Sequence, residues 1–547
     1  MELREEIGKF FEGDIDNSPE TLESHSKDAT LFYLKPSIVV FPKNVEDIKK
    51  LVAFVSQAKK DGRNMSLTAR AGGTDMTGGP LTESIVVGMT RYFNKIKKVE
   101  GDYAIVEPGV YYRDFEKETL KNGYILPSYP ASREICTVGG MVGNNAGGEL
   151  NLLYGKTENY INSLKMVLND GNEYIFKPLN KEELDQKIKT PGIEGDIYSG
   201  LFNLIDSNYD IIKKAKPDVS KNSAGYYLWN VYDKENQIFD PTKLIVGSQG
   251  TFGIITEINF KLIKPKLKEH LLVIFLNDLH SLPDITNHLL KFNPQSIESY
   301  DDQTFKVAMR LLPDILKRLG GNAVKLFFNF LPELWMVLTG GVPKLVLLAE
   351  FSSDNEQDAL ERTKEAQESL QQFNIKTKLI KKHGGEAKYW VVRRESFNLL
   401  RHHVQGMRTA PFIDDFVVRP EKLGEFLPKL YKIMEKYNLL YTVAGHIGDG
   451  NFHIIPLIKV NDPNMVSIVK NLSEEVYQLV FDYRGSITGE HNDGIIRTPF
   501  LKKQYGEEVY GFFVETKKIF DPENIFNPGK KTDTTMEFAI NHIQKFS

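Results

Sequence analysis

The chain has 547 residues, with 69 Lys and Arg against 73 Asp and Glu, so it lacks the basic field by which proteins bind nucleic acid. Its length predicts two or three domains, with hydrophobic cores large enough to be stable without disulfide bonds. The single cysteine, Cys136, excludes an intrachain disulfide framework and a cysteine-ligated iron–sulfur cluster within this chain.

The amino-terminal region and the apolar stretches bear on location. Residues 1–35 are predicted to form a polar, helical lead-in without the apolar core of a signal peptide. No stretch stays apolar for the roughly eighteen residues that a membrane span needs, and the closest, residues 326–348, contains charges, prolines and a glycine pair. We therefore expect a cytoplasmic protein, and we leave open a peripheral contact with the inner face of the membrane and a homodimer.

A β-α-β unit is predicted at the start of the first domain. Ser37–Phe41 has the pattern of a buried strand, Asn44 can cap the helix that follows, and Ser66–Arg70 is the second strand. The unit leads into residues 71–80, where four glycines let the backbone approach a ligand and point several N–H groups at it. Such a loop suits a pyrophosphate, although it matches neither the phosphate loop of nucleoside triphosphatases nor the Rossmann fingerprint.

Two further glycine-rich stretches follow in the first domain, at 137–148, soon followed by Tyr154–Gly155, and at 247–256. The other elements predicted in this region are strands at Ile85–Met89, Tyr103–Val106 and Lys243–Val246 and a helix at Tyr112–Lys121. A generic glycine turn could explain any one of the three loops. Three loops that each adjoin a strand fit one extended cofactor better than three unrelated turns.

A shift toward longer helices after Pro265 predicts a domain boundary there. We divide the chain into a lead-in (1–35), a first domain (36–265), an α+β second domain (266–500) and a carboxy-terminal segment (501–547). The elements predicted in the second domain are strands at Leu345–Leu348 and Thr442–Ala444 and helices at Asn355–Phe373 and Glu421–Tyr437.

The stretch Gly445–His453 places His446 and His453 around a Gly-Asp-Gly-Asn turn, with an apolar run on either side. This pattern predicts a hairpin that brings both imidazoles to one mouth. Downstream, Glu490 adds a carboxylate, and two histidines with one carboxylate and an open position are typical of a catalytic metal site. The alternatives are a polar hairpin with incidental histidines and, for Glu490 and His491, a surface turn.

Glu490 and His491 are neighbours in the chain, so on a regular strand their side chains would point to opposite faces. Gly489 and Gly494 permit a bulge or turn that would let both side chains reach one site. If residues 486–494 formed a straight strand, one of the two residues could not serve the site.

The three glycine-rich loops together resemble the flavin-binding domain of the FAD-linked oxidases of the vanillyl-alcohol oxidase type, and most of all the glycolate, D-lactate and D-2-hydroxyglutarate dehydrogenases. The resemblance runs from about Tyr33 to Lys530 and implies a two-subdomain FAD-binding domain plus an α+β substrate (cap) domain. Asp521–Lys530 resembles the family's closing motif, which returns to the flavin domain. The residues to which the resemblance assigns FAD binding are Arg70, Ala71, Gly72, Gly73, Thr74, Asp75, Thr137, Gly139, Gly140, Asn144, Gly147, Tyr154, Gly250, Gly253, Ile254, Ile255 and Asn527.

The resemblance implies non-covalent FAD, because the first loop offers Thr74 and Asp75 where covalent members carry a flavin-linking histidine or cysteine. Only Cys136, just before the second loop, leaves covalent attachment open.

The resemblance also implies the chemistry. His446, His453 and Glu490 would bind a divalent cation, zinc or else Mn²⁺ or Fe²⁺, and His491 would act as the base. The cation would lower the pKa of the hydroxyl group of a small D-2-hydroxy acid, and His491 would take its proton. The α-hydrogen would leave as a hydride to the flavin N5 and yield the 2-oxo acid.

A 2-hydroxy acid needs its carboxylate held, and arginine can do so with a bidentate pair of hydrogen bonds. Trp390–Arg393 resembles the family's tryptophan-x-x-arginine helix, so Arg393 is the first candidate. The alternative candidates are Arg394, Arg401, Arg408 and Arg497. Asp414–Asp415 resembles the family's acidic strand and is expected to have a structural or supporting role.

The sequence departs from the commoner family form at Asn492–Asp493 and at Arg497, which look more like the branch often fused to an iron–sulfur module. The electron acceptor is therefore left open as an iron–sulfur protein, an electron-transfer flavoprotein or a quinone. Two other functions on the same fold also stay open. One is a non-redox flavoenzyme like the alkylglycerone-phosphate synthases, and the other is an FAD-binding accessory subunit without chemistry of its own.

Overall fold

The computed structural model describes residues 2–302, 304, 341–380, 389–390, 392–393, 406–459 and 461–544. The strands are β1 (Asp14–Asp16), β2 (Ile38–Phe41), β3 (Leu67–Arg70), β4 (Ile85–Gly88), β5 (Ile96–Glu100), β6 (Tyr103–Val106), β7 (Ile161–Val167), β8 (Glu173–Phe176), β9 (Tyr232–Asp233), β10 (Ile238–Phe239), β11 (Ile254–Lys261), β12 (Lys268–Leu276), β13 (Ser296–Asp301), β14 (Leu345–Ser353), β15 (Lys376–Ile380), β16 (Met407–Thr409), β17 (Phe416–Val417), β18 (Leu440–His446) and β19 (Asn451–Lys459). The α-helices are α1 (Leu3–Gly8), α2 (Pro19–His25), α3 (Val45–Lys60), α4 (Tyr112–Lys121), α5 (Val138–Asn144), α6 (Asn151–Tyr154), α7 (Lys181–Ile188), α8 (Ile193–Ser207), α9 (Tyr209–Ala215), α10 (Thr242–Ile245), α11 (Leu282–Leu290), α12 (Glu356–Ser369), α13 (Leu423–Glu435), α14 (Met465–Asp482), α15 (Gly494–Arg497), α16 (Leu501–Phe520) and α17 (Met536–Asn541).

The predicted β-α-β unit is confirmed and forms a four-stranded sheet in the order β1-β2-β4-β3. Strands β2 and β3 each pair with β4 in parallel. Helix α3 connects β2 to β3. Asn44 caps α3 as predicted, because its side chain accepts a hydrogen bond from the N–H of Asp47. The lead-in is only partly helical, since it also contains β1, which pairs antiparallel with β2 and extends the sheet.

A second, antiparallel sheet, β5-β6-β11-β7-β8, completes the first domain. The predicted strand at Lys243–Val246 is wrong, because these residues lie in and directly after the short helix α10. The Asp240 carboxylate accepts hydrogen bonds from the N–H and the hydroxyl of Thr242 and so favours a helical start. The buried Leu244 and Ile245 account for the apolar pattern without strand pairing.

The second domain is built on an antiparallel sheet in the order β15-β12-β14-β13-β18-β19-β16, with β17 also paired to β19. The chain passes from one sheet to the other between Lys261 and Lys268, close to the boundary expected at Pro265. The two predicted strands lie within β14 and β18, and the two predicted helices correspond to α12 and α13 with their adjoining 3-10 turns. Of the apolar stretch 326–348, residues 326–340 lie outside the described residues.

The fold is α+β, and within the described part of the chain none of the helices is long and apolar enough to traverse a lipid bilayer.

The carboxy-terminal segment makes contacts with the first domain. Helix α16 packs against α8, and Phe526 forms an isolated β-bridge with Leu67. The Asn527 side chain donates hydrogen bonds to the carbonyl oxygens of Gly79 and Gln249, so it ties together two of the glycine-rich loops.

Candidate active site

The predicted hairpin is confirmed as β18 and β19, joined by a 3-10 turn over Ile447–Asp449. Gly450 closes the turn with a φ of +67°, and a Cβ there would lie 1.8 Å from the carbonyl oxygen of Val418. His446 ends β18 and His453 lies in β19, with their ring centroids 5.3 Å apart. The hairpin therefore brings both imidazoles to one place.

The loop over residues 486–494 is not a straight strand, so both Glu490 and His491 can reach the site. The Asp415 carboxylate holds this loop, because it accepts hydrogen bonds from the backbone N–H groups of Glu490 and His491, at 3.0 and 2.7 Å. It also accepts the hydroxyl of Thr488 at 2.6 Å. Asn492 then takes a φ of +72°, which turns the chain toward α15.

Three imidazole nitrogens converge on one carboxylate oxygen. Glu490 Oε1 lies 3.2 Å from His446 Nε2, 3.3 Å from His453 Nε2 and 4.0 Å from His491 Nε2. The opposite ring nitrogens face two buried carboxylates. Asp414 lies 3.1 Å from His453 Nδ1 and 2.7 Å from His491 Nδ1, and Glu298 lies 2.5 Å from His446 Nδ1. The carboxylates thus leave the Nε2 atoms to face the centre of the site.

The charges of this cluster favour a cation. Burial of His453 disfavours its protonated form. The nearby Asp414 and Glu490 carboxylates favour that form more strongly, and together they raise the pKa of His453 to about 10. Burial likewise disfavours the Glu490 carboxylate, yet Lys221 and His446 hold its pKa well below its usual value. A proton on His453 balances carboxylate charge that a divalent cation could balance instead.

The ligand atoms also permit a second grouping. One atom each of Asp415, His453, Glu490 and His491 all lie within 4.8 Å of one another. Asp415, however, already accepts the backbone N–H groups of the loop, so we place it as the support of the loop rather than as a ligand.

The glycine-rich loops adjoin this cluster. A Cβ added to Gly147 would lie 3.3 Å from Glu490 Oε2, so the second loop approaches the carboxylate directly. The Asn492 side chain donates to the carbonyl oxygens of Asn144 and Gly247, in the second and third loops. The N–H of Gly494 donates to the Gln249 side chain. The loop that carries Glu490 and His491 therefore docks on the predicted flavin-binding loops.

Several polar groups of the first loop form hydrogen bonds within the protein. The Asp75 carboxylate accepts the N–H groups of Thr77 and Gly79, and a further hydrogen bond from the Asn144 side chain. Arg70 donates to the carbonyl oxygens of His25 and Lys27 in the lead-in. The part of the loop left to approach a ligand is therefore Ala71–Thr74.

The second loop begins α5, whose first turn is capped by the Thr137 side chain. A Cβ at Gly143 would meet no atom within 4 Å, and one at Gly140 would meet only side chains at 3.6 Å, so this helix borders open space. Gly139 instead packs against Pro108, where a Cβ would lie 2.5 Å away.

The remaining predicted flavin residues lie in different surroundings. A Cβ at Gly253 would lie 2.6 Å from the carbonyl oxygen of Val167, and Ile254 and Ile255 pair with Val167 and Met166 at the start of β11. Gly250 takes a φ of +70° after Gln249. Tyr154 ends α6 and is half-buried beside a cavity of about 260 Å³ that Trp390 also lines.

The candidate arginines for the substrate's carboxylate lie in different surroundings. Arg393 lies beside the cluster, with its guanidinium 3.1 Å from Glu298 Oε2. Arg497 is fully buried and donates to the carbonyl oxygens of Asn492 and Asp414. Arg408 lies in β16 and donates to the carbonyl oxygen of Gln544. Arg394 and Arg401 lie outside the described residues.

Sequence reasoning missed three buried residues of the site. Glu298 contacts His446, as described above. Lys221 lies 3.4 Å from Glu490 Oε2 and 3.3 Å from Asp449, and Lys156 donates to the carbonyl oxygen of Gly489. Burial lowers the pKa of Lys156 to about 8. Glu298 lies in a strand of mixed polar and apolar residues, Ser296–Asp301, so its charge gave no local signal. Lys221 lies in a segment without a recognisable pattern, and Lys156 directly follows the Tyr154–Gly155 pair, whose glycine drew the attention.

Replacing Asp415 by asparagine is expected to lower the free energy of unfolding by about 1–3 kcal/mol. The amide has one oxygen, and its NH₂ group would face the N–H groups that the carboxylate now accepts. Chemical denaturation measures the change, and Asp218→Asn on the surface is the control, expected within about 0.5 kcal/mol of the wild type. Equal stabilities of the two variants would show that Asp415 does not hold the loop.

Comparisons with known proteins match most of the chain. The model of the FAD binding domain matches residues 36–176, and that of the FAD linked oxidases, C-terminal domain, matches residues 268–531. The D-2-hydroxyglutarate dehydrogenase of Pseudomonas putida is 27% identical over 95% of this chain and 50% of its own length. The glycolate oxidase subunit GlcD of Bacillus subtilis is 26% identical over 92% of this chain and 91% of its own. The chain spans about half the length of the D-2-hydroxyglutarate dehydrogenases that it matches.

Solved structures show the same fold. A 4-ethylphenol oxidase from Gulosibacter chungangensis covers 97% of this chain and 96% of its own, with a TM-score of 0.68 and 15% identity. An alkyldihydroxyacetonephosphate synthase covers 96% of this chain and 84% of its own, with a TM-score of 0.64 and 15% identity. At these identities the likeness extends to the fold and not to the reaction.

Proposed function

Because the chain belongs to the FAD-linked oxidases, we propose that it oxidises a small D-2-hydroxy acid to the 2-oxo acid with FAD and a divalent cation. The observation that carries this proposal is the convergence of three imidazole Nε2 atoms on Glu490, directly beside the loops of the FAD binding domain. The names of the relatives support a substrate of the D-2-hydroxyglutarate, D-lactate or glycolate type.

FAD, when bound, supplies an acceptor for a hydride at the flavin N5. The open space beside Gly140 and Gly143 fits a ligand that approaches the backbone closely. Asn144, Gln249 and Asn527 hold the three loops around this space through hydrogen bonds. We further propose that a separate acceptor takes the electrons, either an iron–sulfur protein, an electron-transfer flavoprotein or a quinone.

A divalent cation supplies a Lewis acid that polarises a substrate oxygen, and zinc suits a donor set of imidazole and carboxylate, with Mn²⁺ or Fe²⁺ as alternatives. We assign His446, His453 and Glu490 as its ligands. Their donor atoms fit this role, because Glu298 and Asp414 engage the Nδ1 atoms and the Nε2 atoms remain directed at Glu490.

We assign His491 as the base that takes the substrate's hydroxyl proton at Nε2. Asp414 lies 2.7 Å from its Nδ1, which orients the ring and favours the tautomer with the proton on Nδ1. Among the three imidazoles its side chain is the most open, 22% exposed against 7% for His446 and 11% for His453. It therefore faces the side from which a substrate can approach.

The substrate's carboxylate is assigned to Arg393, which lies beside the cluster and is 13% exposed. Arg497 is the second candidate, although its hydrogen bonds to the carbonyl oxygens of Asn492 and Asp414 already hold the loop and the strand that orient His491. The Arg393 guanidinium contacts Glu298, which in turn contacts His446. A substrate carboxylate bound by Arg393 would therefore lie at the edge of the histidine cluster.

The proposal is tested by adding D- and L-2-hydroxy acids to the purified protein without oxygen and measuring the flavin absorbance. We expect at least one of D-lactate, D-2-hydroxyglutarate and glycolate to bleach the flavin, and the L-enantiomers of the chiral acids to react more slowly. Acid denaturation should release the FAD, since it is proposed to be non-covalent. A flavin that none of these acids bleaches would favour a non-redox or accessory role.

A further inference from the structure

Glu298 is a buried carboxylate in the middle of β13, only 2% exposed, directly opposite His446 in the register of β13 and β18. Its two oxygens are divided between two partners. Oε1 lies 2.5 Å from His446 Nδ1, and Oε2 lies 3.1 Å from the Arg393 guanidinium. One side chain thus contacts both a proposed metal ligand and the proposed substrate clamp.

A buried carboxylate is costly unless it is paired. Glu298 meets this requirement, because one of its oxygens faces the His446 imidazole and the other faces the Arg393 guanidinium. Asp414 makes the matching arrangement on the other side of the site, with one oxygen facing His453 and the other facing His491. Two carboxylates therefore orient the four groups that the proposed reaction needs.

We propose that Glu298 is a positioning residue that couples the metal ligand His446 to the substrate clamp Arg393, an inference that rests on the proposed function. Glu298 fixes the proton of His446 on Nδ1, which leaves Nε2 free as a ligand. It holds the Arg393 guanidinium at the same time, beside the same imidazole. Metal binding and substrate binding then depend on one side chain that need touch neither the metal nor the substrate.

The chemistry requires a carboxylate at this position. Arg393 can only donate hydrogen bonds, and His446 must donate from Nδ1 if Nε2 is to serve as a ligand. Glutamine is nearly the same shape but has one oxygen. Its NH₂ group would face one of the two donors, so Glu298→Gln weakens both contacts on average.

The test compares Glu298→Gln with the wild-type holoenzyme. We expect the Kd for Zn²⁺, measured by competition with a chromophoric chelator, to rise by about 10- to 100-fold. The KM for the bleaching acid should rise by roughly tenfold, while kcat at saturating Zn²⁺ and acid changes by less than about threefold. Asp414→Asn should instead lower kcat through His491 and also raise the Kd for Zn²⁺ through His453, because Asp414 faces both rings.

Asp301→Asn is the matched control, because Asp301 is a buried carboxylate in the same strand that accepts the backbone N–H groups of Thr304 and Val443. It should keep the wild-type Kd for Zn²⁺ and the wild-type KM. Should Glu298→Gln fail to fold, Glu298→Asp keeps the charge and is expected to raise the Kd for Zn²⁺ and the KM by several-fold. A wild-type Kd and KM in a folded Glu298 variant would overturn the proposal. If the wild type itself neither binds Zn²⁺ nor reduces its flavin, the proposed function fails, and this inference fails with it.

Discussion

Replacing His491 by alanine is expected to slow anaerobic flavin reduction by a D-2-hydroxy acid by about 10²- to 10⁴-fold, while the protein keeps its FAD. The imidazole is placed to take the hydroxyl proton, and its ring is oriented by Asp414. Its backbone N–H is bonded to Asp415, a contact that alanine retains. The loss should therefore fall on the reaction and not on the loop. Stopped-flow absorbance of the flavin measures the rate.

The control for this variant is His280→Ala, because His280 is exposed and lies outside the cluster. It should reduce its flavin at the wild-type rate. The FAD content of both variants, measured by absorbance after acid denaturation, should equal that of the wild type. Flavin reduction at the wild-type rate in His491→Ala would remove His491 as the base.

Replacing His446 by alanine is expected to weaken Zn²⁺ binding by more than about 100-fold, since even residues that only support metal ligands change affinity by 10- to 100-fold. Flavin reduction in His446→Ala should fall to the rate of the wild-type protein whose cation has been removed by a chelator, because both proteins then lack the cation. His446 contacts Glu298 and Glu490, so its loss removes a donor and takes one partner from each of two buried carboxylates. Metal analysis after dialysis against a chelator measures the first effect, and stopped-flow absorbance measures the second.

His542→Ala is the control, because His542 lies in the carboxy-terminal segment and its ring contacts Phe538 and Glu83 rather than the cluster. It should retain wild-type metal content and rate. Unchanged metal content in His446→Ala would contradict the ligand assignment. A wild-type flavin-reduction rate after complete chelation would remove the cation from the mechanism.

Much of the fold could be predicted from the sequence, because local patterns determine it. Periodic apolar residues predicted α3 and α4, and the cap at Asn44 was visible in the spacing of polar side chains. The turn residues of Gly445–His453 predicted the hairpin, since glycine and asparagine tolerate the conformations that the turn needs. The strand predicted at Lys243–Val246 was wrong because an apolar run is buried equally well as a short helix.

The candidate site was only partly predictable, because its residues come from segments far apart in the chain. His446, His453 and Glu490 belong to short motifs that show their chemistry locally. Glu298 and Lys221 join them through tertiary contacts that no local pattern encodes. Asp414–Asp415 was expected to have a supporting role, and the structure adds which atoms it holds.

Long-range contacts also explain how the adjacent residues Glu490 and His491 can both face the site. Glycines at 489 and 494 permitted an irregular loop, but they did not determine its shape. The loop is shaped by Asp415 from the second domain, and by Lys156 and the Asn144 carbonyl oxygen from the first. Side chains from both domains thus make two neighbouring residues face one site.

The measurement that tests the central claim most directly is anaerobic flavin reduction by a D-2-hydroxy acid in the Zn²⁺-loaded protein, with hydrogen or deuterium at C2 of the acid. We predict that the flavin bleaches with both forms, and more slowly with deuterium, because the C2 hydrogen leaves as a hydride. The absence of bleaching with either form of D-lactate, D-2-hydroxyglutarate or glycolate would contradict the proposed oxidation.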